Sequence, residues 1–214
     1  MQEVMRIPEG CTDDMFDEAQ RRLDAVADHR TELRFQVLVW AVMARSTALG
    51  ARLCTSAIVG GRVASAEPYV DIWDDLPGKE AVGPLARVLG MREVRGDFEG
   101  IVRRKAIASL TRYRAVDAAP TVLTHLTHSE QSVRLAAAEF VSRLDVREAS
   151  PILIERLPLE DDPVVVQVFV ECLGRWGDRS VVPTLRSLLA HADDDDLVAA
   201  IQEALRAIGG PTRY

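Results

Sequence analysis

Three segments in the second half of the chain share one pattern of apolar and polar positions. They begin at Val102, Val133 and Val165, and a shorter fourth copy begins at Leu197. Successive copies start 31, 32 and 32 residues apart. A period of this length is typical of solenoids, in which each repeat is a helix pair that buries its apolar face against its neighbours.

Each copy predicts two helices. Apolar residues recur at offsets 0, 4, 8 and 11, which places them in one stripe along a first helix, here called helix A. Pro120, Pro151 and Pro183 then begin a second helix, helix B, because proline fits the first turn of a helix. The last position of the helix A stripe is predicted to be buried and holds Tyr113, Leu144, Trp176 and Ile208.

Acidic residues recur just before each helix A. Carboxylates at that place accept hydrogen bonds from free N–H groups and offset the helix dipole, so we interpret them as caps. The aspartate run lacks the glycine bend and distal glutamate of a calcium loop. These acidic residues are Glu99, Glu130, Asp162 and the run 193–196.

The repeats resemble those of a known family. Val102-Arg103 and Val133-Arg134, each followed by alanines, a leucine or valine and a proline-led helix, resemble HEAT-like repeats of the phycobilisome-lyase type. The third copy departs by having Val166 at the arginine position. The resemblance covers residues 99–210 and implies an all-α solenoid of stacked antiparallel helix pairs, with helix B on the concave side. It identifies a fold rather than a chemistry.

The first 98 residues lose the period but keep helix signals. The last predicted helix, opened by Gly83-Pro84, resembles helix B of a degenerate repeat. We therefore predict an irregular helical region over residues 1–98 that caps regular repeats over 99–214. The alternative for this region is a docking or homodimerisation lobe. The other signals predict four helices. The first spans residues 12–28, the third spans residues 48–58, and the fourth begins at Glu67-Pro68. The second begins at a cap, Thr31, and carries apolar residues at helical spacing: Leu33, Val37, Trp40 and Ala41.

Composition and charge narrow the class of partner. The net charge of −7 argues against a general nucleic-acid binder, since phosphate contacts need a basic face. Only Lys79 and Lys105 are lysine among 26 basic residues, a bias that indicates a GC-rich bacterial genome. Aromatic residues make up only 5% of the chain, so the interior is predicted to be mostly aliphatic.

Cysteines and hydropathy predict a cytoplasmic protein. Cys11, Cys54 and Cys172 are odd in number and far apart, which favours buried thiols in a reducing compartment. No signal peptide is evident at the start of the sequence. The most apolar run, residues 35–44, is much shorter than the about 20 residues of a membrane span.

Catalytic and metal motifs are missing from the sequence. We find no phosphate loop, dinucleotide fingerprint, nucleophile elbow or zinc-protease motif. His125 and His128 could share a metal, but no third ligand is evident. The sequence therefore predicts no cofactor, no metal and no catalytic residue. The resemblance leaves two alternatives, a lyase-like enzyme or cofactor-attachment factor and a HEAT-like DNA glycosylase.

A basic cluster lies on and just after the first helix A. It is either a patch for an acidic partner or a helix face paired with neighbouring acids, and we prefer the second interpretation. Its members are Arg103, Arg104, Lys105, Arg112 and Arg114.

Positions opposite the buried stripe of helix B form a predicted recognition surface, here called the helix B face. Its mixed hydroxyl, imidazole, charged and aliphatic side chains favour binding of a protein or peptide, as in a scaffold or adaptor. Its predicted partner-binding residues are Thr121, Thr124, His125, His128, Glu155, Arg156, Ser187 and His191, and Ile152, Leu159, Thr184 and Leu188 complete the rows.

Overall fold

The computed structural model describes residues 12–74 and 80–209. These residues form α-helices joined by short loops and 3₁₀ turns, and no β-strand occurs among them. The helices are α1 (Thr12–Asp24), α2 (His29–Met43), α3 (Thr47–Val59), α4 (Glu67–Asp74), α5 (Val82–Leu89), α6 (Ile101–Arg112), α7 (Ala119–Leu123), α8 (Gln131–Leu144), α9 (Ser150–Arg156), α10 (Pro163–Trp176), α11 (Val182–Leu189) and α12 (Asp195–Gly209).

The chain divides into two compact units, Met1–Ala115 and Val116–Tyr214. The first unit contains α1 to α6 and the second contains α7 to α12. The division falls inside the first repeat, between its helix A (α6) and its helix B (α7). The regions 1–98 and 99–214, which were defined by the regularity of the repeats, stay a prediction.

The first unit is built around large buried side chains. α2 packs on α1 and α3, and α6 packs on α4 and α5. The rings of Phe35 and Tyr69 lie 5.9 Å apart between centroids, and Trp73 is completely buried. Of the five completely buried aromatic side chains among the described residues, three (Phe35, Tyr69 and Trp73) lie in this unit.

α2 differs in two ways from its sequence-based prediction. Its cap is Asp28, whose carboxylate accepts a hydrogen bond from the Thr31 N–H at 2.8 Å, while the Thr31 hydroxyl accepts one from the Asp28 N–H at 3.0 Å. This reciprocal pair is a capping box, so Thr31 lies inside the helix. Leu33, Val37 and Trp40, whose spacing predicted the helix, lie on its exposed side. The buried side consists of Glu32, Phe35, Leu38, Val39, Val42 and Met43.

The other helices of the first unit follow their signals closely. α1 begins at Thr12 but ends at Asp24 rather than Asp28. α3 ends at Val59 with Gly60 as its C-cap, and the following Gly61 has a φ of +61°, a conformation that suits glycine. α4 and α5 begin within one residue of their predicted starts.

The second unit consists of the repeats. α8, α10 and α12 are successive helices A, and each packs on the next. α9 packs against the 3₁₀ turn Thr124–Thr127, and α11 packs against the 3₁₀ turn Leu157–Leu159, so successive helices B are also neighbours. The predicted stripes are buried at offsets 0, 4 and 8 in α8 and α10, whereas Leu144 and Trp176 at offset 11 are only partly buried.

The acidic caps are confirmed in part. Asp162 accepts a hydrogen bond from the Val165 N–H at 3.0 Å, and Asp194 accepts one from the Leu197 N–H at 2.8 Å. Glu130 lies at the start of α8 without a side-chain capping bond.

Glu99 is not the cap of α6. It lies in a 3₁₀ turn with a φ of 51°. Gly100 occupies the N-cap position of α6, and the Asp97 carboxylate supplies the capping hydrogen bonds instead. The Asp97 carboxylate accepts hydrogen bonds from the N–H groups of Val102 at 2.9 Å and Arg103 at 3.2 Å. Asp97 thereby provides an acceptor for two of the N–H groups that have no backbone partner in the first turn of a helix.

Cys54 and Cys172 are buried free thiols, as predicted, and burial raises the pKa of both. Cys11 lies outside the described residues. None of the helices in residues 12–74 and 80–209 is long and apolar enough to cross a membrane.

A candidate recognition groove beside helix B

A buried ion pair connects two loops of the second unit. Arg134, in the first turn of α8, donates hydrogen bonds from Nε and Nη2 to the two carboxylate oxygens of Glu160, at 2.8 and 2.7 Å. Its Nη1 donates to the carbonyl oxygens of His128 at 3.0 Å and Ser129 at 2.8 Å. Arg134 therefore joins the loop before α8 to the loop before α10.

Glu160 is the centre of this network, and its side chain is completely buried. Burial opposes ionisation, but the hydrogen bonds from Arg134 and from the Asp162 N–H hold the pKa of Glu160 below its ordinary value. The same pair raises the pKa of Arg134. Both groups are therefore charged in the folded protein at neutral pH.

Arg156, at the end of α9, completes the network. Its Nε lies 3.5 Å from a carboxylate oxygen of Glu160, and about a quarter of its side chain (23%) is exposed. Within the described residues its two Nη nitrogens have no hydrogen-bond partner. Glu160 thus contacts one edge of the guanidinium through a long ion pair and leaves the Nη donors for a partner.

A polar groove of about 630 Å³ lies over this network. Its lining includes positively and negatively charged side chains, which offer hydrogen-bond donors and acceptors. It also includes one strongly exposed aliphatic side chain, Leu159, which is 66% exposed. Such a groove offers positions for a peptide's backbone and for a side-chain anchor. Its lining residues are Thr127, His128, Ser129, Glu130, Gln131, Arg134, Arg156, Leu159, Asp161 and Asp162.

The helix B face is largely accessible. Thr124, Glu155 and Ser187 occupy the same position in successive helices B and are all exposed, as is His191. Three members are partly buried: Thr121, His128 and Arg156. The last two of these also line the groove. The half-buried Ile152, Thr184 and Leu188 and the exposed Leu159 complete the rows.

His125 is the exception and corrects the prediction. It is only 5% exposed, and its Nδ1 lies 3.1 Å from the carbonyl oxygen of Thr121. The reason is that α7 ends at Leu123 and the chain continues as a 3₁₀ turn, which has fewer residues per turn than an α-helix. Counting at the α-helical period therefore placed His125 on the wrong side.

His128 lies at the edge of the groove. Its Nδ1 accepts a hydrogen bond from the Glu130 N–H at 3.0 Å, which places the ring proton on Nε2. The ring stacks on that of His125 with 5.9 Å between centroids. No group of three or more metal-ligating side chains occurs in the described part of the chain, and the absence of a metal stays a prediction.

Three members of the basic cluster form ion pairs within the first unit. Arg103 pairs with Asp97 and also donates to the carbonyl oxygens of Met91 and Arg92. Lys105 lies 2.8 Å from both Glu67 and Asp71, and Arg112 lies 2.7 Å from Asp74. This agrees with a helix face paired with neighbouring acids. Arg104 and Arg114 are exposed, and the acidic-partner patch stays a prediction.

The sequence reasoning missed Glu160 and Asp97, the two partners of the repeated arginine. Arg103 and Arg134 occupy the same repeat position, and each also binds carbonyl oxygens in the loop that precedes its helix. A recurring arginine next to a buried valine was the signal of a structural role. Val166, at this position in the third copy, is buried and makes no such bond.

These features define an all-α protein with the HEAT-like solenoid fold. Residues 91–173 match the family model of HEAT repeats, from the loop before α6 into α10. The match covers less than half of the chain and concerns HEAT repeats in general rather than the lyase type. No curated protein matches the chain.

Proposed function

We propose that the chain is a non-catalytic scaffold or adaptor that binds a protein or peptide partner on the helix B face of its second unit. HEAT repeats generally serve as protein-interaction scaffolds. The observation that carries the proposal is Arg156, whose Nη nitrogens lack partners among the described residues while its Nε lies 3.5 Å from a carboxylate oxygen of buried Glu160.

Arg156 is suited to act as the main anchor. A guanidinium presents donors in a fixed fork that matches a carboxylate or two backbone carbonyls. Because only 23% of the Arg156 side chain is exposed, binding a partner should restrict its motion little further. Leu159, which is exposed beside it, would add an apolar contact, and Thr124, Glu155 and Ser187 would form a polar rim.

Co-purification tests this proposal. The immobilised protein is exposed to lysate of the source organism, and the retained proteins are compared for the wild type, Arg156→Ala and the control Arg143→Ala. Arg143 is 69% exposed on α8 and pairs loosely with Glu139 at 3.8 Å. We expect the wild type and the control to retain one protein in stoichiometric amount. Arg156→Ala should retain at least about ten-fold less of that protein.

Equal retention by all three proteins would overturn the proposal. A co-purifying chromophore in place of a protein would favour the lyase-like or cofactor-attachment alternative. Salt-sensitive retention of DNA would favour the HEAT-like DNA glycosylase. We further propose that the protein is bacterial and cytoplasmic, and that residues 1–98 cap the repeats or mediate homodimerisation.

A further inference from the structure

A second groove lies on the helix A side of the second unit, between α10 and α12. Its volume is about 480 Å³. Gly174 and Ala204 hold the two helices in close contact at its base. Ala199, Ala200 and Ala207 line it from α12, and their small side chains leave the groove open and apolar at its floor.

The rim of this groove is acidic. Glu171, Asp196 and Glu203 line it, all are exposed, and none forms an ion pair within the described residues. Glu171 accepts one hydrogen bond, from the Gln167 side chain at 3.0 Å. The floor and rim together therefore combine an apolar surface with unpaired negative charge.

The basic residue among the lining side chains does not neutralise this rim. Arg175 donates from Nη2 to the Ser142 carbonyl oxygen at 3.0 Å and hydroxyl oxygen at 3.2 Å, and its Nε lies 4.0 Å from Asp145. These partners belong to α8 and the loop after it, away from α12. Three carboxylates against this one guanidinium leave the groove with a net negative charge, which attracts cations.

We propose that the groove between α10 and α12 binds a basic segment of a partner protein. An aliphatic side chain of that segment would lie on Ala199, Ala200 and Ala207, and its lysine or arginine residues would pair with Glu171, Asp196 and Glu203. Nucleic acid is excluded as the occupant because its phosphates would meet these carboxylates. The proposal concerns a surface separate from the helix B face and does not depend on it.

The probe is a short fluorescent synthetic peptide of leucine, alanine and lysine, titrated against the full chain. Glu171→Gln and Glu203→Gln should each weaken binding about two- to five-fold, and added salt should weaken it further. Ala207→Trp keeps the charge but fills the groove, and should weaken binding about ten-fold. Glu148→Gln is the matched control, because Glu148 is exposed in the same unit but lies outside both grooves.

An equal loss with Glu148→Gln would overturn the proposal, because binding would then reflect only the net charge of −7. Full binding by Ala207→Trp, or equal binding of a peptide with glutamate in place of lysine, would also overturn it. Amide NMR shifts of the wild type on adding the peptide should centre on residues 199–207, which requires no variant. Self-association through this surface without peptide binding would contradict the stated occupant. Arg156→Ala should leave peptide binding unchanged, so the two proposals fail separately.

Discussion

Gly174 of α10 lies directly against Ala204 of α12. A Cβ atom added to Gly174 would be 2.6 Å from the Ala204 Cβ and 2.7 Å from its Cα. Because one of these atoms belongs to the backbone, a rotation of a side chain cannot relieve the overlap. The close approach of the third and fourth helices A therefore depends on this glycine.

Gly174→Ala should destabilise the protein. The overlap should cost about 1–3 kcal/mol, more than the helix propensity that alanine adds. Denaturant unfolding measures the difference. The control is Gly209→Ala at the end of α12, where the added Cβ would have no atom within 4 Å and stability should be unchanged or slightly higher. Equal stability of the wild type and Gly174→Ala would contradict the close contact.

Removing Arg134 should be far more damaging than removing a surface arginine. Arg134→Ala leaves the buried Glu160 carboxylate without its main partner, a loss of about 3–5 kcal/mol in the free energy of unfolding. Arg143→Ala, which removes an exposed ion pair, should change it by about 0.5 kcal/mol or less. Thermal and denaturant unfolding of the two variants make the comparison, and similar losses would mean that the buried pair is not structural.

The pH dependence of the free energy of unfolding should reflect the ionisation of Glu160. Its pKa is lower when folded than when unfolded, so its contribution is complete above the ordinary value of about 4.3. The contribution is lost as pH falls through the folded pKa, because protonation breaks the pair with Arg134. Glu160→Gln should therefore be less stable at neutral pH and lose less stability on acidification.

Unfolding in denaturant at a series of pH values measures this difference. Glu148→Gln is the control, since Glu148 is exposed and makes no ion pair within the described residues, and the acid dependence of this variant should match that of the wild type. If Glu160→Gln still loses stability steeply on acidification, the effect belongs to other carboxylates. One such group is Asp178, whose pKa is lowered by hydrogen bonds from the hydroxyls of Ser150 and Ser180.

Asp97 should contribute more to the stability of the fold than an ordinary loop residue does. Asp97→Ala removes the cap of α6 and leaves Arg103 without its carboxylate partner. We expect a loss of about 3 kcal/mol or more in unfolding free energy. Asp117→Ala, an exposed acid in a 3₁₀ turn, should be nearly neutral. Stability measurements on both variants test the assignment of Asp97 as the cap.

The helix pairs could be predicted because each repeat buries one residue every turn. Val133, Ala137 and Val141 form such a stripe, and a period near 3.6 is visible in the sequence itself. The spacing of Leu33, Val37 and Trp40 also predicted a helix, yet these residues are exposed, because the other side of α2 carries the larger apolar set. Periodicity thus finds a helix but does not choose between two apolar sides.

The candidate site was less predictable than the fold. Glu160 is 26 residues after Arg134, and no local pattern connects a loop carboxylate with an arginine at that separation. His125 was misplaced because a change from α-helix to 3₁₀ turn rotates the following side chains. Arg156 could be identified as a surface position, but its contact with Glu160 is visible only in the tertiary structure.

Site-specific photo-crosslinking in cells tests most directly whether a partner binds the helix B face. A photoreactive amino acid is placed at position 155 or 159 on this face, and at the exposed position 143 on α8 as the control. We predict that positions 155 and 159 crosslink to one and the same polypeptide, that position 143 does not, and that Arg156→Ala abolishes the product. Crosslinking from position 143 alone, or none from positions 155 and 159, would contradict the account.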